Sequence, residues 1–527
     1  MQIDLDTLPD DPAILQQMLR DVVATAAHQQ GVLHAENDKL RLLIQRLLRQ
    51  QFGRRSEQLS PDQLQLGLED LEQTIAENQA GQDAADVQQG RRRPAPRRNH
   101  GALPEHLPRY EVLIDVEKRD CPCCGGTLHA IGELRTEQLD IVPAQLRVRV
   151  TRRPRYACRA CEGAVVVAPT PERPIDGGMA TELLIVHVVV SKFCDSLPLY
   201  RQAQMLARQG VTLDRSTLSN WVGRACWWLT PLYDLILGTA LSAAKLFADD
   251  TTLPVLDPGR GRTKTGRLWC YAVDDQPWCG PSHPVAAYAY SEDRKGIRPA
   301  GHLAMFQGVL QVDGYAGFKR LAGDRTDGSV RLAFCWAHMR RGFYEFHAST
   351  QSPLAAEVLA RIRDLYAIES QIRGHPAEHR RQVRQERSRP VVDALHAWLL
   401  AHQGRVSATS DLAVAIRYAL RHWPGLTLFL DDGRVEMDTN VVERAIRPVA
   451  LNRKNALFAG SDGGARQWAI AMTLIQTAKL NGVNPQAWLT DVLERIVAGR
   501  TKATELETLL PWNWKPCSPA SISAIAA

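Results

Sequence analysis

Three acidic residues stand in three separated motifs: Asp249 in Ala-Asp-Asp-Thr-Thr, Asp313 in Gln-Val-Asp-Gly-Tyr, and Glu443 in Asn-Val-Val-Glu-Arg-Ala-Ile-Arg-Pro. The first two occupy or end apolar, strand-like runs, and the third falls on an amphipathic, helix-like stretch. Carboxylates gathered from strands and a helix make a hard oxygen donor set. Mg²⁺ or Mn²⁺ takes such a set and keeps positions open for phosphate. The chemistry this predicts is metal-assisted attack on a phosphodiester.

Sulfur forms the second chemical pattern. Cys121-Pro-Cys-Cys124 and Cys158-Arg-Ala-Cys161 are two Cys-x-x-Cys knuckles separated by 33 residues. Four thiolates in that arrangement hold one tetrahedral structural Zn²⁺, with an inserted hairpin absorbing the long spacing. Gly125-Gly126 supplies the turn that brings backbone close to the sulfurs. Cys123 is the odd thiol, and a register exchange between Cys121 and Cys123 stays open. Arg147, Arg149, Arg152, Arg153 and Arg155 crowd the same module. Cys335-x-x-His338 is half of a zinc pattern with no second half after it. There His338 can contact a phosphate, orient a carboxylate or simply pack.

These residues need elements to carry them. At 527 residues the chain is long enough for several units. Its net charge of +6 is unevenly spread: residues 1–90 hold 7 Lys/Arg against 15 Asp/Glu, a net of −8, which leaves +14 for the rest. A basic body fits a polyanionic partner. The eleven cysteines are scattered apart from the knuckles, as expected in a reducing cytoplasm. The longest apolar run, residues 183–190, is short and interrupted by His187, and there is no secretory start, so a soluble cytoplasmic protein is expected.

Along residues 1–77, Leu19, Val22, Ala26, Gln29, Leu33, Glu36, Leu40, Leu43 and Leu47 follow a three/four spacing; seven of the nine are apolar. That predicts a coiled-coil-like helix through which copies associate. Residues 78–108, with five arginines among positions 91–98, form a basic linker. The zinc module spans 109–176. Residues 177–244 read as helix, Gly-containing turn, helix, with Asp214 or Ser216 capping the last helix. As a helix-turn-helix this region offers Arg215, Ser219, Asn220 and Arg224 to DNA; as an ordinary helical hairpin it does not.

From Lys245 the pattern turns to strands at 245–256, 267–273 and 285–291, a helix at 294–306, a strand at 309–312, a helix at 315–321, a strand at 330–335 and a helix from Trp336. Three strands, helix, strand, helix, strand is the ribonuclease-H-like order, covering 245–348. Strand alternation points Asp249 and Asp250 to opposite faces, so only one can serve a metal. The basic, Gly-rich stretch 257–266 is read as a hairpin that touches DNA. Residues 349–422 form an all-helical insertion, its eight arginines between 361 and 390 either following phosphates or lining a solvated face. The sheet resumes at 423–472, with a hairpin across 426–437. Asp438 caps a helix that Pro448 ends. On that helix Asn440, Glu443 and Arg447 share a face. Arg453 and Lys454 follow, available to DNA. Residues 473–514 are helical, and 515–527 form a tail without order.

The words Ala-Asp-Asp-Thr-Thr-Leu-Pro-Val-Leu, Val-Asp-Gly-Tyr-Ala-Gly-Phe, Cys-Trp-Ala-His-Met-Arg-Arg and Val-Glu-Arg-Ala-Ile-Arg-Pro-Val-Ala-Leu-Asn-Arg-Lys-Asn resemble the insertion-sequence-66 family of bacterial DDE transposases. The resemblance runs from about residue 10 to Trp514 in family order. It implies a multidomain α+β protein that recognises the terminal inverted repeats of its own mobile element. Asp249, Asp313 and Glu443 are the implied Mg²⁺-binding triad that cleaves strands and joins them to target DNA. The resemblance also implies small accessory proteins of the same element as partners. Asp250 departs from the family, which usually has Glu there. The rival expectations are a catalytically dead DNA-binding derivative and a Mg²⁺-dependent nuclease of another kind.

Overall fold

The computed structural model describes residues 145–157, 165–257, 262–325 and 327–516. The coiled-coil-like region, the basic linker, Cys121, Cys124, Cys158 and Cys161, and residues 517–527 lie outside them. The chain forms two compact units, residues 1–51 with 57–152 and residues 52–56 with 153–527. Every element that follows belongs to the second.

A short antiparallel ribbon, β1 (Arg155–Ala157) with β2 (Val165–Val167), comes first. Three helices follow: α1 (Glu182–Phe193), α2 (Leu199–Arg208) and α3 (Arg215–Leu241). The apolar run that is too short for a membrane is α1, with Ile185, Val186, Val188, Val189 and Phe193 all buried. Among the described residues no helix is long and apolar enough to cross a membrane. Gly210, at φ +82°, takes the left-handed turn after α2 that an L side chain disfavours. Asp214 holds the N-cap position of α3 without a side-chain cap bond. The last helix runs to Leu241, almost to the end of the expected region. Leu229, Leu232, Ile236 and Ala240 extend its buried stripe past Pro231, which removes only one backbone bond.

The sheet comprises β3 (Lys245–Asp257), β4 (Arg262–Val273), β5 (Val285–Ser291), β6 (Gly308–Val312) and β7 (Val330–Phe334), in the order β5-β4-β3-β6-β7. β3 is central, antiparallel to β4 and parallel to β6, and β6 is parallel to β7. Helix α4 (Ile297–His302) precedes β6, and α5 (Ala316–Asp324) joins it to β7. The order of strands and helices matches the expectation throughout this stretch.

The insertion consists of α6 (Trp336–Thr350), α7 (Pro353–Ile372), α8 (Ala377–Val383), a π-turn at Arg384–Ser388, α9 (Arg389–Gln403) and α10 (Asp411–Asp431). The expected hairpin across 426–437 is not there. Leu426, Phe429 and Leu430 lie three and four apart on the buried side of α10, so the apolar run serves a helix. Gly425 permits the close fit, since a Cβ there would meet the Phe334 ring at 2.3 Å. The helical run therefore continues through Asp431, past the expected bound at 422.

Helix α11 (Asn440–Ala456) carries Glu443 and passes through Pro448, which does not end it. Val442 and Val449 are buried along one side, and the Asn452 amide donates to the Lys192 carbonyl at 2.8 Å. That tertiary anchoring outweighs the one bond the proline removes. Then come α12 (Asp462–Leu480) and α13 (Pro485–Val497). Thr473 accepts from the Tyr288 N–H at 2.8 Å and Thr477 from that of Ala286 at 3.2 Å, so α12 covers the outer edge of β5.

Candidate active site

Register alone brings two of the three acids together. Lys245 pairs with Val309 and Phe247 with Gln311 across the parallel strands β3 and β6. The ladder ends at Phe247 and Gln311, two residues before Asp249 and Asp313, and the charge of Asp313 acts on Asp249 from the neighbouring strand end. Gly314, at φ +105°, turns the chain immediately after Asp313. Tyr315 N–H donates to Asp313 Oδ1 at 3.0 Å, and the Tyr418 hydroxyl donates to the Asp313 carbonyl at 3.0 Å.

Glu443 arrives on the first turn of α11, and the segment before it is clamped from three sides. Gln311 donates to the Glu436 carbonyl at 2.9 Å and accepts the Glu436 N–H at 3.0 Å. The buried Lys245 ammonium, pushed down to about 8 by burial, donates to the Arg434 carbonyl at 3.0 Å. Trp336 N–H donates to the Met437 carbonyl at 2.8 Å. Asp438, expected as the cap, stands one residue earlier, with Thr439 at the N-cap. Asp438 Oδ1 instead accepts the Asn440 N–H at 3.1 Å. Thr439 Oγ1 donates to Glu443 Oε1 at 3.2 Å, and His338 Nδ1 lies 3.9 Å from the same oxygen.

Charge marks this as one cluster. The carboxyl of Asp249 is pushed up to about 7, first by burial and then by Asp313, with Asp250 and Glu443 adding to the repulsion. Among the described residues no lysine or arginine forms an ion pair with Asp249, Asp313 or Glu443. Asp250 is the opposite case. Its side chain is 1% exposed and lies between Arg267 at 3.0 Å and Arg294 at 2.9 Å. Alternation along β3 thus separates a neutralised aspartate from one held among other acids. A protonated carboxyl beside two further carboxylates is a site short of positive charge, and hard divalent cations suit such oxygen donors.

The structure also sorts the other residues expected to work. Arg215, Ser219, Asn220 and Arg224 are exposed together on α3, opposite buried Leu218, Trp221, Val222 and Ala225. Arg447 and Lys454 are exposed on α11. Arg453 has a different task from the DNA contact expected of it. Its Nη1 donates to Thr251 Oγ1 at 3.2 Å, to Thr252 Oγ1 at 2.7 Å and to the Thr252 carbonyl, tying α11 to β3. The arginines of the insertion are neither all phosphate-facing nor all solvated. Arg380 and Arg384 are buried and bind Glu369, at 3.2 Å and 2.7 Å; Arg380 also reaches Glu436 at 2.8 Å. Sequence reading missed Gln311 and this arginine pair. Gln311 sits in a motif already singled out; nothing local distinguishes Arg380 and Arg384 from their exposed neighbours.

Comparison with known proteins gives a consistent picture. A family model described as "Transposase IS66 family" matches residues 177–467, and one described as "zinc-finger binding domain of transposase IS66" matches 118–162. "IS66 C-terminal element" matches 473–512, and "Transposase C of IS166 homeodomain" matches 39–112, upstream of the helix pair expected to bind DNA. Similar curated proteins include three from Sinorhizobium fredii (strain NBRC 101917 / NGR234). Uncharacterized protein y4jD is 49% identical over 98% of each chain. Uncharacterized protein y4qI is 41% identical over 98% of this chain and 99% of its own. Uncharacterized protein y4hP is 38% identical over 92% and 90%, respectively.

Proposed function

The chain belongs to the IS66 family of transposases, and from that premise we propose that it cuts and joins DNA at the ends of an insertion sequence, using Asp249, Asp313 and Glu443. The observation that carries the reading is the meeting of these three acids without a protein cation, with Asp249 pushed up to about 7. Mixed strand order with the parallel pair at the centre supports a ribonuclease-H-like assignment for the sheet.

Asp249, Asp313 and Glu443 would hold Mg²⁺ or Mn²⁺, which would polarise the phosphate and activate water at neutral pH. The chain's own residues do the rest. Asp249 gives up its proton to become a ligand. Tyr315 and Tyr418 fix the turn that presents Asp313, and Thr439 orients Glu443. Arg447, one helical turn beyond Glu443, is available to a phosphate. Cleavage adds water across one P–O3′ bond and leaves a 3′-hydroxyl; that hydroxyl then attacks a target phosphodiester, forming a new P–O bond as the target's own P–O3′ bond breaks and frees a target 3′-hydroxyl. No covalent enzyme intermediate is required.

Around this core, Cys121, Cys124, Cys158 and Cys161 hold one structural Zn²⁺ within the matched zinc-finger segment. The exposed face of α3, with Arg215, Ser219, Asn220 and Arg224, contacts the terminal inverted repeats. Residues 15–50 join copies of the chain, and small proteins of the same element complete the assembly. The deciding experiment incubates the purified protein with element-end DNA and Mg²⁺. Cleavage that vanishes in Asp249→Asn, Asp313→Asn and Glu443→Gln, while end binding persists, supports the reading. Binding without cleavage in the unaltered chain favours a DNA-binding derivative instead.

A further inference from the structure

Beside the carboxylate cluster lies a group of donors that Mg²⁺ chemistry does not use. Cys335 occupies the N-cap of α6 and His338 stands three residues on, in its first turn. Residues at those two helix positions fold their side chains over the same end, as in a capping box. Glu443 meets them from the first turn of α11. One donor atom from each of Cys335, His338 and Glu443 lies within 4.8 Å of the other two. We propose that these three residues form a separate site for a thiophilic divalent cation of the Zn²⁺ class, sharing Glu443 with the carboxylate cluster.

Two observations support a ligand there. His338 Nδ1 is shut off from solvent and has no hydrogen-bond partner. An orphaned buried nitrogen of that kind costs about 1–3 kcal/mol, which a bound cation would relieve. Cys335 is 0% exposed, so its sulfur is a specific inward donor and not a surface thiol.

The geometry is close to what Zn²⁺ requires. Bonds of roughly 2.0–2.3 Å at tetrahedral angles put ligands roughly 3.3–3.8 Å apart. The His338–Glu443 separation is 3.9 Å, so small side-chain rotations close the set. Three protein ligands leave a fourth position open, as in catalytic zinc sites. A thiolate selects Zn²⁺, Cd²⁺ or Co²⁺ over Mg²⁺. The consequence, which rests on the proposed triad, is inhibition: a thiophilic ion that captures Glu443 withdraws it from Mg²⁺.

Co²⁺ tests the site without DNA or activity. The full chain is stripped of metal and titrated with Co²⁺ alone, so that the zinc-finger cysteines and this site fill with the same ion. The expected result is two Co²⁺ per chain, the second adding thiolate-to-cobalt charge-transfer absorption in the near ultraviolet. The second Co²⁺ and its added absorption are lost in Cys335→Ser, and its affinity falls on the order of tenfold or more in His338→Gln, which lacks one of three ligands. If Cys335→Ser does not fold, His338→Gln carries the same test at a side chain that is 24% exposed. Equal Co²⁺ uptake and absorption in the unaltered chain and the variants overturns the proposal, as does a second Co²⁺ without added thiolate absorption. Failure here leaves the Mg²⁺ triad intact, and a triad dispensable for cleavage leaves a positive cobalt result standing.

Discussion

Two groups of partly buried acids lie in the same unit and are treated oppositely. Glu369 and Glu436 are answered inside the protein by Arg380 and Arg384, with contacts between 2.7 and 3.2 Å. Asp249, Asp313 and Glu443 are left among one another, and burial first and then Asp313 push Asp249 up to about 7. Burying charge is costly in both places, and the protein meets the cost only in the first. The first group locks the insertion to the strand-like segment ahead of α11. The second stores repulsion that an external cation can relieve. Carboxylates without cationic partners are therefore the ones to examine for catalysis, and a count of acids alone would not separate the two groups.

The largest expected effect is on chemistry. Asp249→Asn, Asp313→Asn and Glu443→Gln should each lower strand cleavage on the order of 10³-fold or more, the several kcal/mol that metal coordination contributes at a transition state. Their melting temperatures should match or exceed that of the unaltered chain. A triad variant that cleaves normally would break the contrast at its more important end.

Next comes Arg384→Ala. It strips Glu369 of its bidentate partner and frees the Phe429 carbonyl that Arg384 Nη1 binds at 2.9 Å. Removing one member of a buried pair costs about 3–5 kcal/mol, so denaturant unfolding should shift by that amount. A change below about 1 kcal/mol would mean that the network contributes little to the fold.

The third effect separates the groups by pH. Burial and the neighbouring Asp313 push Asp249 up to about 7 from an ordinary 3.8. A raised folded pKa means that the folded state binds the extra proton between pH about 4 and 7, so metal-free stability falls as pH rises through that window. A shift of this size corresponds to about 4 kcal/mol of stability lost by pH 8, reduced to the extent that the carboxyl is reached by water. Asp249→Asn should remove most of this slope. Mg²⁺ should raise the melting temperature more at pH 8 than at pH 5, where it must displace a proton. Equal Mg²⁺ effects at both pH values would place the cation elsewhere.

Much of this was legible from sequence because it is local. Apolar alternation located β3 to β7, and the parallel register then delivered Asp249 beside Asp313 without further information. What failed was also physical. The run Leu426-Thr-Leu-Phe-Leu430 suits a strand by composition, but its third and fourth neighbours pack as a helix, a choice that tertiary contacts make. Pro448 reads as a stop, yet Val449 and Asn452 are anchored on the far side of it. Long-range pairings such as Arg384 with Glu369, or Glu443 with Cys335 and His338, have no local spacing to betray them.

Asp250→Ala is the smallest and most discriminating change. Its side chain faces away from Asp249 and neutralises Arg267 and Arg294. Arg294 in turn stacks on the Tyr315 ring at 4.3 Å, the Tyr315 hydroxyl donates to the Arg294 carbonyl, and the Tyr315 N–H holds Asp313 Oδ1. Asp250 therefore reaches Asp313 through two intermediaries, Arg294 and Tyr315, besides its direct repulsion of Asp249. Arg267 and Arg294 are 21% and 42% exposed, so water can solvate what Asp250 leaves behind. The expected stability loss is about 1–2 kcal/mol, below that of a fully buried pair. Cleavage should fall by about tenfold, because misplacing a positioned group costs less than removing it. Lys substituted for Arg294 should reproduce part of that loss, since a point charge keeps the attraction but not the planar stacking on Tyr315. If Asp250→Ala were instead as inactive as Asp249→Asn while remaining folded, the metal-facing aspartate would be Asp250 and the face assignment along β3 would be reversed.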